Sequence, residues 1–311
     1  MKGLELSRKY YEQFGKEMIE SQFSDIADKL AVGLFGSGSE CYGYDDEISK
    51  DHDFEPGFCI FVPDVIDDRT MFQLERAYNK LPKEFLGYSK SLLSPVGGNR
   101  HGVFRIGDYF LERTGSRDGV LSLSQWFSLP EYVLLETVNG EVFSDNYGLL
   151  KQIRNNLSYY PEDIRLKKIA GCLIMMNQSG QYNYHRCINR NDNGAAQLSV
   201  NEFVTYTYKT VFLLNRQYCP YYKWVFHAMR NLDRLSYIAD FLEYLLNSGN
   251  SPDEVKSKTE MIDNVVSLMT AELLQQGLVE KETDDLEKAA HMVNKKISDN
   301  DIRNLNILIG V

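Results

Sequence analysis

The chain has 311 residues, of which 43% are hydrophobic and 25% charged, and its formal net charge is −10 at pH 7. This composition is typical of a globular protein, and the length allows two domains of ordinary size. The acidic balance argues against binding to a nucleic-acid backbone, which requires surfaces rich in lysine and arginine. A nucleic-acid partner is therefore not expected.

The five cysteines, Cys41, Cys59, Cys172, Cys187 and Cys219, are odd in number and scattered along the chain. They form no CxxC pair, so neither a zinc site nor a disulfide framework is predicted, and reduced thiols favour a cytoplasmic protein. The sequence contains no run of about 18 apolar residues, so no membrane-spanning helix is expected. The charged N-terminus lacks the apolar core of a signal peptide, so a membrane partner is not expected either.

The first predicted elements lead to a glycine-serine turn. Residues 4–30 carry apolar side chains at helical spacing, which predicts one or two helices before a strand at Ala31–Phe35. Gly36 allows the backbone to approach a phosphate closely. Ser37 and the amides of the following loop can donate hydrogen bonds to phosphate oxygens, which only accept them. The turn therefore suits phosphate binding.

A pair of aspartates follows this turn and a polar loop, just before a strand-like run at Phe58–Val62. In an extended segment, Asp51 and Asp53 point to the same face, and a cation between them relieves their repulsion. Hard ions such as Mg²⁺ or Mn²⁺ prefer oxygen ligands, often carboxylates together with substrate phosphates. His52 points the other way and is interpreted as structural. The pair predicts a metal site for phosphoryl chemistry, and the alternative is an acidic turn in solvent.

Two short sequences together resemble the signature of the polymerase-beta-like nucleotidyltransferase superfamily: Phe35-Gly36-Ser37 and Asp51-His52-Asp53-Phe54. The fuller pattern, GS-x-x-E-x-x-G-x-D-x-E-x-S-x-DHDF, resembles a bacterial family of uncharacterised stand-alone proteins within that superfamily. Later segments are similar to the same family: NGEVFSD at 139–145, GQYNYHRCINR at 180–190 and FLLNRQYCPYYKW at 212–224.

This resemblance implies a nucleotide site at the first two strands. It implies that the turn follows the first strand and that the second strand holds the aspartates. Asp51 and Asp53 are then the expected catalytic residues and metal ligands, and Gly36, Ser37 and Glu40 are expected to bind the nucleotide. The implied cofactor is Mg²⁺ or Mn²⁺, and the implied co-substrate is a nucleoside triphosphate, with ATP as the first choice.

The next elements depart from the superfamily pattern at one position. Residues 69–87 are predicted to form a helix, and His101–Ile106 a strand. Catalytic members of the superfamily usually carry a third carboxylate on a strand in this region, where this chain has Arg105; Asp108 follows, past the strand. The departure argues against two-metal catalysis, but a single metal could still position a triphosphate.

A hairpin-type turn, Asn139-Gly140, precedes a predicted strand at Glu141–Phe143. Two carboxylates accompany this strand. Glu141 and Asp145 either approach the site, as a base or a substrate contact, or lie at the strand edge in solvent.

Helical periodicity dominates from Tyr147 to the end of the chain. The sequence Ser251-Pro252-Asp253-Glu254 is a typical helix start, with a cap, a proline and acids in the first turn. The terminal helices of residues 251–311 suit either covering a cleft or forming a homodimer. Helices are predicted at 149–157, 162–177, 181–191, 195–215, 221–246 and 251–276, and two shorter ones within 284–309.

The segment GQYNYHRCINR concentrates polar side chains on one predicted helix. At helical spacing, Asn183, Arg186 and Arg190 share a face, and two guanidinium groups beside an amide suit phosphate recognition. The alternative is a solvated polar face with Arg186 paired to an acid. His185 has the spacing of a general base but no specific support for that role.

Three further cations lie on the next predicted helices: Lys209, Arg216 and Lys223. Lys223 is flanked by aromatic residues that could stack on a base, and its ammonium could reach a β- or γ-phosphate. The alternative is an ordinary amphipathic helix whose lysine lies in water. Lys223 is the one expected to bind nucleotide.

The sequence thus predicts an α+β protein: an N-terminal nucleotidyltransferase-like mixed sheet with helices at 1–148, and an all-helical domain at 149–311. The favoured hypothesis is transfer of a nucleoside monophosphate from a triphosphate to a hydroxyl of a small molecule or a protein. Similarity to aminoglycoside nucleotidyltransferases favours a small polar acceptor. The alternative is a catalytically inactive nucleotide-binding sensor or regulatory protein. An RNA-modifying enzyme acting on tRNA ends is disfavoured by the acidic balance.

Overall fold

The computed structural model describes residues 1–49, 54–90 and 100–311, which form two compact units. The first unit comprises residues 1–125 and 133–158, and the second comprises residues 126–132 and 159–311. The first unit holds a mixed sheet with helices and the second is helical, so the predicted α+β class is confirmed. The predicted domains, 1–148 and 149–311, stay a prediction, because compact units reflect contacts within the chain and not independent folding.

The first unit contains all six of the described strands and a set of short helices. In chain order these are α1 (Gly3–Tyr10), α2 (Lys16–Gln22), β1 (Ala31–Leu34), α3 (Ser39–Tyr42), β2 (Cys59–Val62), α4 (Asp68–Tyr78), β3 (Glu84–Phe85), β4 (Tyr88–Ser89), β5 (Gly102–Arg105), α5 (Ile106–Thr114), α6 (Leu123–Ser128), α7 (Glu131–Val138), β6 (Glu141–Asp145) and α8 (Leu149–Asn156). A π-helical turn at Tyr11–Gly15 joins α1 to α2. The division between the two units runs through α6 and α7.

The sheet of the first unit has the strand order β5-β2-β1-β6. Strand β1 is antiparallel to both neighbours, and β2 is parallel to β5. Every residue of the two central strands is buried, as expected for strands covered on both faces. The continuous apolar sequences of β1 and β2 follow from this burial.

Alternate residues of the central strands pack into two separate layers. Val32, Ile60 and Val62 join the core formed with the N-terminal helices and α4. On the opposite face, the Phe61 ring lies 4.8 Å from the Phe35 ring and 5.0 Å from the Tyr109 ring, centroid to centroid. Because side chains alternate between the faces of a strand, one short strand can hold helices on both sides of the sheet.

The helix predicted at 69–87 ends earlier in the structure, at Tyr78, and is followed by a small hairpin of β3 and β4. The two residues between the strands, Leu86 and Gly87, have φ of 51° and 84°. Positive φ at both central positions is the geometry of a tight hairpin turn. Leucine rarely adopts this conformation, and the apolar residues here fit helical spacing. The turn therefore could not be predicted from the sequence.

In the acidic loop after β1, the carboxylates of Asp45 and Asp46 accept hydrogen bonds from backbone amides. Buried Asp45 accepts a hydrogen bond from the Gly3 amide at 2.8 Å, and the Lys2 ammonium lies 3.3 Å from its carboxylate. Gly3 begins α1, where the first amides of a helix need acceptors. The Asp46 carboxylate accepts hydrogen bonds from the backbone amides of Ile48 and Ser49, and the bond from Ser49 lowers the pKa of Asp46. This part of the motif therefore ties the loop to the start of the chain.

The second unit consists of helices joined by short connections. After the residues that it takes from α6 and α7, it contains α9 (Glu162–Met176), α10 (Tyr184–Asn189), α11 (Asn193–Leu214), α12 (Val225–Met229), α13 (Ile238–Asn247), α14 (Pro252–Gln275), α15 (Leu286–Lys295) and α16 (Asn300–Asn304). A π-helical segment at Asn177–Asn183 connects α9 to α10. The prediction of helices from residue 147 onward is confirmed, as is the capping box of Ser251 and Glu254 at the start of α14.

The single helix predicted at 221–246 is divided in the structure into a 3₁₀ turn, α12 and α13. The Asn215 side chain holds the break between them: it donates to the Arg234 carbonyl and accepts from the Arg234 amide, each at 2.9 Å. These bonds take the place of helical ones. No helix among residues 1–49, 54–90 and 100–311 is long and apolar enough to cross a membrane.

Replacement of Asp45 by alanine is expected to destabilise the first unit by about 1–3 kcal/mol, because it leaves the buried Gly3 amide without its acceptor. The shift in the urea midpoint of unfolding measures this cost. The matched control is Asp25→Ala, at an exposed position of the same unit. Equal midpoints for the two variants would show that Asp45 does not anchor the helix.

Candidate functional site

Three chain segments meet at one edge of the mixed sheet, the one formed by the end of β1 and the starts of β2 and β5. In the antiparallel pair, Gly33 of β1 lies opposite Cys59, the first residue of β2. In the parallel pair, Cys59 lies opposite Gly102, the first residue of β5. The end of β1 therefore lies beside the starts of β2 and β5. This edge carries the glycine-serine turn, the chain that enters β2, and Arg100.

A cavity of about 390 Å³ opens at this edge, within the first unit; we call it the edge cavity. Its walls come from the turn after β1, from α3, from β5 and from the helices α5 and α7. The lining residues are Leu34, Phe35, Gly36, Ser37, Gly38, Cys41, Arg100, Phe104, Tyr109, Glu112, Arg113 and Glu136. The structure thus brings the predicted residues Gly36 and Ser37 together with two arginines.

The Asn139 side chain fixes the conformation of Gly36. Its amide oxygen accepts from the Gly36 amide at 2.9 Å, and its amide nitrogen donates to the Gly36 carbonyl at 2.8 Å. Gly36 has a φ of +131°, a region that essentially only glycine adopts. The Arg154 guanidinium supports Asn139 in turn by donating to its carbonyl at 2.7 Å. The turn is therefore held in place before any ligand arrives.

This arrangement changes which donors of the turn can serve a ligand. The Gly36 amide is occupied by Asn139, so it is not free for a phosphate. The Ser37 hydroxyl is exposed and, in the part of the chain that the structure describes, has no hydrogen-bond partner. Ser37 therefore lines the cavity with a hydroxyl that no described residue engages, and Gly36 shapes the turn. Nucleotide binding by these two residues stays a prediction.

Glu40, predicted to bind nucleotide, is buried and forms an ion pair with Arg100. This pair lies against Gly38, where a Cβ would collide with both the guanidinium and the carboxylate. A side chain at 38 would therefore displace the ion pair, while the backbone conformation there does not need glycine. Glu40 positions Arg100 at the wall of the edge cavity.

Arg113 of α5 contributes the second guanidinium. Its Cζ lies 3.6 Å from the centroid of the Tyr109 ring, and it donates to the Tyr109 carbonyl at 3.0 Å. Stacking on an aromatic face restrains an arginine while leaving its remaining donors available. Phosphate and carboxylate groups are the natural ligands of such a fork.

Glu136 of α7 is a carboxylate on the cavity wall. Burial raises its pKa, while a hydrogen bond from the Tyr42 hydroxyl at 2.9 Å and the charges of Arg113 and Arg100 lower it. The raised pKa is the net result. The cavity lining therefore combines two cations with two acids, the partly buried Glu136 and the exposed Glu112, whose carboxylate lies 3.9 Å from the Arg113 guanidinium.

Arg105, which occupies the place in sequence where the resemblance implies a third carboxylate, does not face the edge cavity. Side chains alternate along β5, and Phe104 is the strand residue that lines the edge cavity. Arg105 donates instead to the Ile66 carbonyl at 2.8 Å and to Asp68 at 2.6 Å. Asp108 lies on α5 and pairs with Arg117 at 2.6 Å. Neither residue lines the cavity.

The two carboxylates of β6 are engaged in structural contacts. Glu141 forms an ion pair with Arg8. Asp145 accepts hydrogen bonds from the amides of Gly148 and Lys151, at 3.0 and 2.8 Å, and so caps the turn before α8. Both residues are half-buried and engaged, so the alternative of carboxylates in solvent does not describe them, and neither lines the edge cavity.

The predicted catalytic and metal-binding residues Asp51 and Asp53 lie outside the described residues, as does His52. Among residues 1–49, 54–90 and 100–311, no three His, Cys, Asp or Glu side chains come together as a metal site would require. The predicted metal site therefore stays a prediction.

Within the segment GQYNYHRCINR, Gln181, which was not among the residues predicted to bind phosphate, forms hydrogen bonds with a distant part of the chain. Gln181 donates to the Asp284 carbonyl at 2.6 Å and accepts from the Leu286 amide at 3.2 Å. Arg186 and Arg190 are exposed, and the Arg186 guanidinium lies 4.7 Å from the Tyr182 ring centroid. Their role in nucleotide binding stays a prediction.

The remaining predicted cations also belong to the second unit. Lys223 is exposed, and its ammonium lies 5.1 Å from the Trp224 ring. Arg216 pairs with Glu162 at 2.8 Å. Lys209 is partly buried, with its ammonium 5.2 Å from the Tyr206 ring. Aromatic neighbours for Lys223 were expected, whereas its predicted contact with a phosphate is untested.

Sequence reasoning missed Arg100, Arg113, Glu136 and the role of Asn139. Arg100 and Arg113 have no motif spacing to Gly36. Asn139 was recognised, but only as part of a turn. Its one available signal was an asparagine at the start of the segment similar to a known family.

Comparison with known proteins adds one family match. Residues 126–225 match the model of a family described as "Domain of unknown function (DUF4037)", so the expected likeness to an uncharacterised family is confirmed for that segment. The sequence matches none of the curated proteins with which it was compared. A solved structure, a nucleotidyltransferase-like protein from Exiguobacterium sibiricum 255-15, is 11% identical and matches over 85% of this chain and 77% of that one, with a TM-score of 0.37. That similarity is too low to carry an argument about fold or function.

Gly36→Ala is expected to cost about 1–3 kcal/mol through backbone strain alone. A Cβ at this position would meet only the Tyr109 hydroxyl, at 3.8 Å. The comparison variant is Gly43→Asn, because Gly43 has a φ of +76° that asparagine tolerates. The two urea midpoints should separate clearly, and coinciding midpoints would contradict the strain.

Asn139→Ala is expected to lower stability by about 1–3 kcal/mol, since both polar groups of Gly36 lose their partner. Faster hydrogen exchange of the Gly36 amide, measured by NMR, would follow from the same loss. Asn156→Ala removes one exposed bond to the Asp118 carbonyl and provides the control. An unchanged exchange rate at Gly36 in Asn139→Ala would refute the clamp.

Proposed function

We propose that the first unit binds a nucleoside triphosphate with a divalent cation and transfers the nucleoside monophosphate to a hydroxyl group. The observation that carries this proposal is the edge cavity, where a preformed glycine-serine turn and two arginines meet at the edge from which the chain enters β2. The sequence Asp51-His52-Asp53 precedes that strand by a few residues. A turn that suits phosphate and a pair of carboxylates that is close to it in sequence supply the groups that nucleotidyl transfer requires.

The donor set of the cavity supports a phosphate ligand. The Ser37 hydroxyl and the guanidinium groups of Arg100 and Arg113 all donate hydrogen bonds, and phosphate oxygens accept them. The cavity volume of about 390 Å³ lies within the range of small-molecule sites. These residues would orient the triphosphate and offset the negative charge that develops during transfer.

Asp51 and Asp53 would hold Mg²⁺ or Mn²⁺, because their carboxylate oxygens are the ligands that hard divalent ions prefer. The ion, when bound, would neutralise part of the triphosphate charge. The reaction is attack of the acceptor hydroxyl on the α-phosphate, in line with the departing pyrophosphate. The hydroxyl oxygen forms the new P–O bond, the bond to the β-phosphate oxygen breaks, and the hydroxyl proton passes to solvent or a base.

The acceptor is proposed to be a small polar molecule, or a protein in second place, and the protein is proposed to act in the cytoplasm. ATP is the first candidate nucleotide. Arg186, Arg190 and Lys223 are kept as sequence-based candidates for phosphate contacts. The acidic chain, with a net charge of −10, gives no support to a nucleic-acid acceptor.

A second candidate is a nucleotide-binding sensor without transfer activity. The observation that favours it is Phe104, since the strand position that faces the edge cavity carries an apolar ring where catalytic members of the superfamily hold an acid. A phenylalanine can contact a ligand but cannot bind a metal. A protein of this kind would bind the nucleotide and leave it intact.

Isothermal titration with ATP, GTP, CTP and UTP, with and without Mg²⁺, tests the proposed site. Binding should depend on the metal and be lost in the double variant Asp51→Asn/Asp53→Asn. Arg113→Met should weaken binding about ten-fold or more, as expected for loss of a charged hydrogen bond. Arg117→Met is the matched control, because Arg117 pairs with Asp64 and Asp108 away from the cavity.

A pyrophosphate-release assay with candidate acceptors separates the two functions. Turnover that disappears in Asp51→Asn supports the transferase, and tight binding without turnover supports the sensor. If no nucleotide binds the wild-type protein, or if Arg117→Met weakens binding as much as Arg113→Met, the edge cavity is not the nucleotide site.

A further inference from the structure

A second cavity, of about 560 Å³, lies entirely within the helical unit; we call it the helical cavity. Apart from Gly310 and Val311, its lining residues all belong to the segment 126–225 that the family model matches. Its volume lies within the range of small-molecule sites. No step of the proposed nucleotidyl transfer uses it, so its role is a separate question.

Charged side chains that rarely lie inside a protein line this cavity: Glu131, Lys168 and Lys209. Glu131 accepts a hydrogen bond from the Cys219 amide at 3.0 Å. Lys168 donates to the Gly310 carbonyl at 2.9 Å, and its ammonium lies 5.2 Å from the Tyr160 ring. Two lysines thus face one carboxylate, and partly buried charges of this kind are costly unless they are paired.

Lys209 is the member of the cluster whose ammonium has no direct partner among the described residues, although the charge of the nearby Glu131 carboxylate offsets part of its own. Its ammonium carries three donors, and it forms neither a hydrogen bond nor an ion pair with any residue in the described part of the chain. Its near neighbours Cys172 and Cys219 offer no anion, because burial raises the pKa of Cys172 to about 12 and that of Cys219 well above its ordinary value. An acidic group in the cavity would supply the missing partner.

Tyrosine rings also line the helical cavity, and two of them are exposed. Tyr132 and Tyr221 meet edge to face, with centroids 5.3 Å apart, and Tyr221 lies 4.4 Å from Tyr222. Tyr221 and Tyr222 are 39% and 72% exposed. Exposed aromatic faces that line a cavity suit a planar apolar group.

We propose that the helical cavity binds a small molecule that joins one acidic group, a carboxylate or a phosphate, to a planar apolar ring. The acidic group pairs with Lys209 and lies near Lys168, and the ring packs against Tyr221 and Tyr222. Because Glu131 offsets one of the two ammonium charges, the cluster suits a ligand with one acidic group better than a ligand with two. The site is independent of the nucleotide proposed for the first unit.

Isothermal titration of the full chain tests the site with four probes that share one ring system. These are 2-naphthoate, 2-naphthyl phosphate, neutral 2-naphthamide and cationic 2-naphthylmethylamine. One or both acidic probes should bind, and the better of the two identifies the acid. Lys209→Met should weaken that binding about ten-fold or more. Lys256→Met, at an exposed position of α14, should leave it unchanged.

Tyr222→Ala is a second variant that removes an exposed ring with little risk to folding, and it should weaken 2-naphthoate binding several-fold. Excess Mg-ATP should not displace 2-naphthoate, which separates this site from the one in the first unit. The proposal is overturned if the neutral or cationic probe binds as well as the acidic ones, if no probe binds, or if Lys209→Met and Lys256→Met behave alike.

Discussion

The edge cavity depends on one paired interaction, between the side-chain amide of Asn139 and the backbone of Gly36. The two hydrogen bonds, at 2.9 and 2.8 Å, join residues that are 103 positions apart in the chain. They fix a glycine at a φ that other residues avoid. Since a ligand site gains affinity when its parts are ordered beforehand, this clamp orders the backbone of the turn that carries Ser37 to the cavity. The backbone conformation of Gly36, which only glycine readily adopts, and its two hydrogen bonds to Asn139 together define the turn.

A second constraint decides what the cavity can bind. The Arg100–Glu40 ion pair occupies the space that a side chain at position 38 would need. The pair neutralises part of the Arg100 charge, so Arg113, which stacks on Tyr109, is the freer cation of the two. The motif glutamate pairs with this arginine, and its predicted contact with a nucleotide stays a prediction. A carboxylate in direct contact with a phosphate would repel it, and an arginine held by that carboxylate attracts it.

The sequence was most informative where the signal is local. Apolar spacing predicts the helices of the second unit and the two central strands. The residues next to Gly36 predict the turn at that position. The failures arise where a distant residue decides. Asn215 divides a helix that periodicity predicted as continuous, and Leu86 adopts a turn conformation that leucine rarely enters. The cation Arg113 comes from a helix whose own pattern is that of an ordinary amphipathic helix, so its place in the cavity follows only from the sheet and its packing.

The face on which a strand residue lies determines how the departure from the superfamily should be understood. In sequence, Arg105 occupies the place where an acid was expected. In the structure, its guanidinium reaches Ile66 and Asp68, while Phe104 lines the cavity. Since a shift of one residue exchanges the two faces of a strand, an acid at position 105 would not reach the cavity at all. Position 104 is therefore the position of β5 from which an acid would reach the cavity, and it carries a phenylalanine.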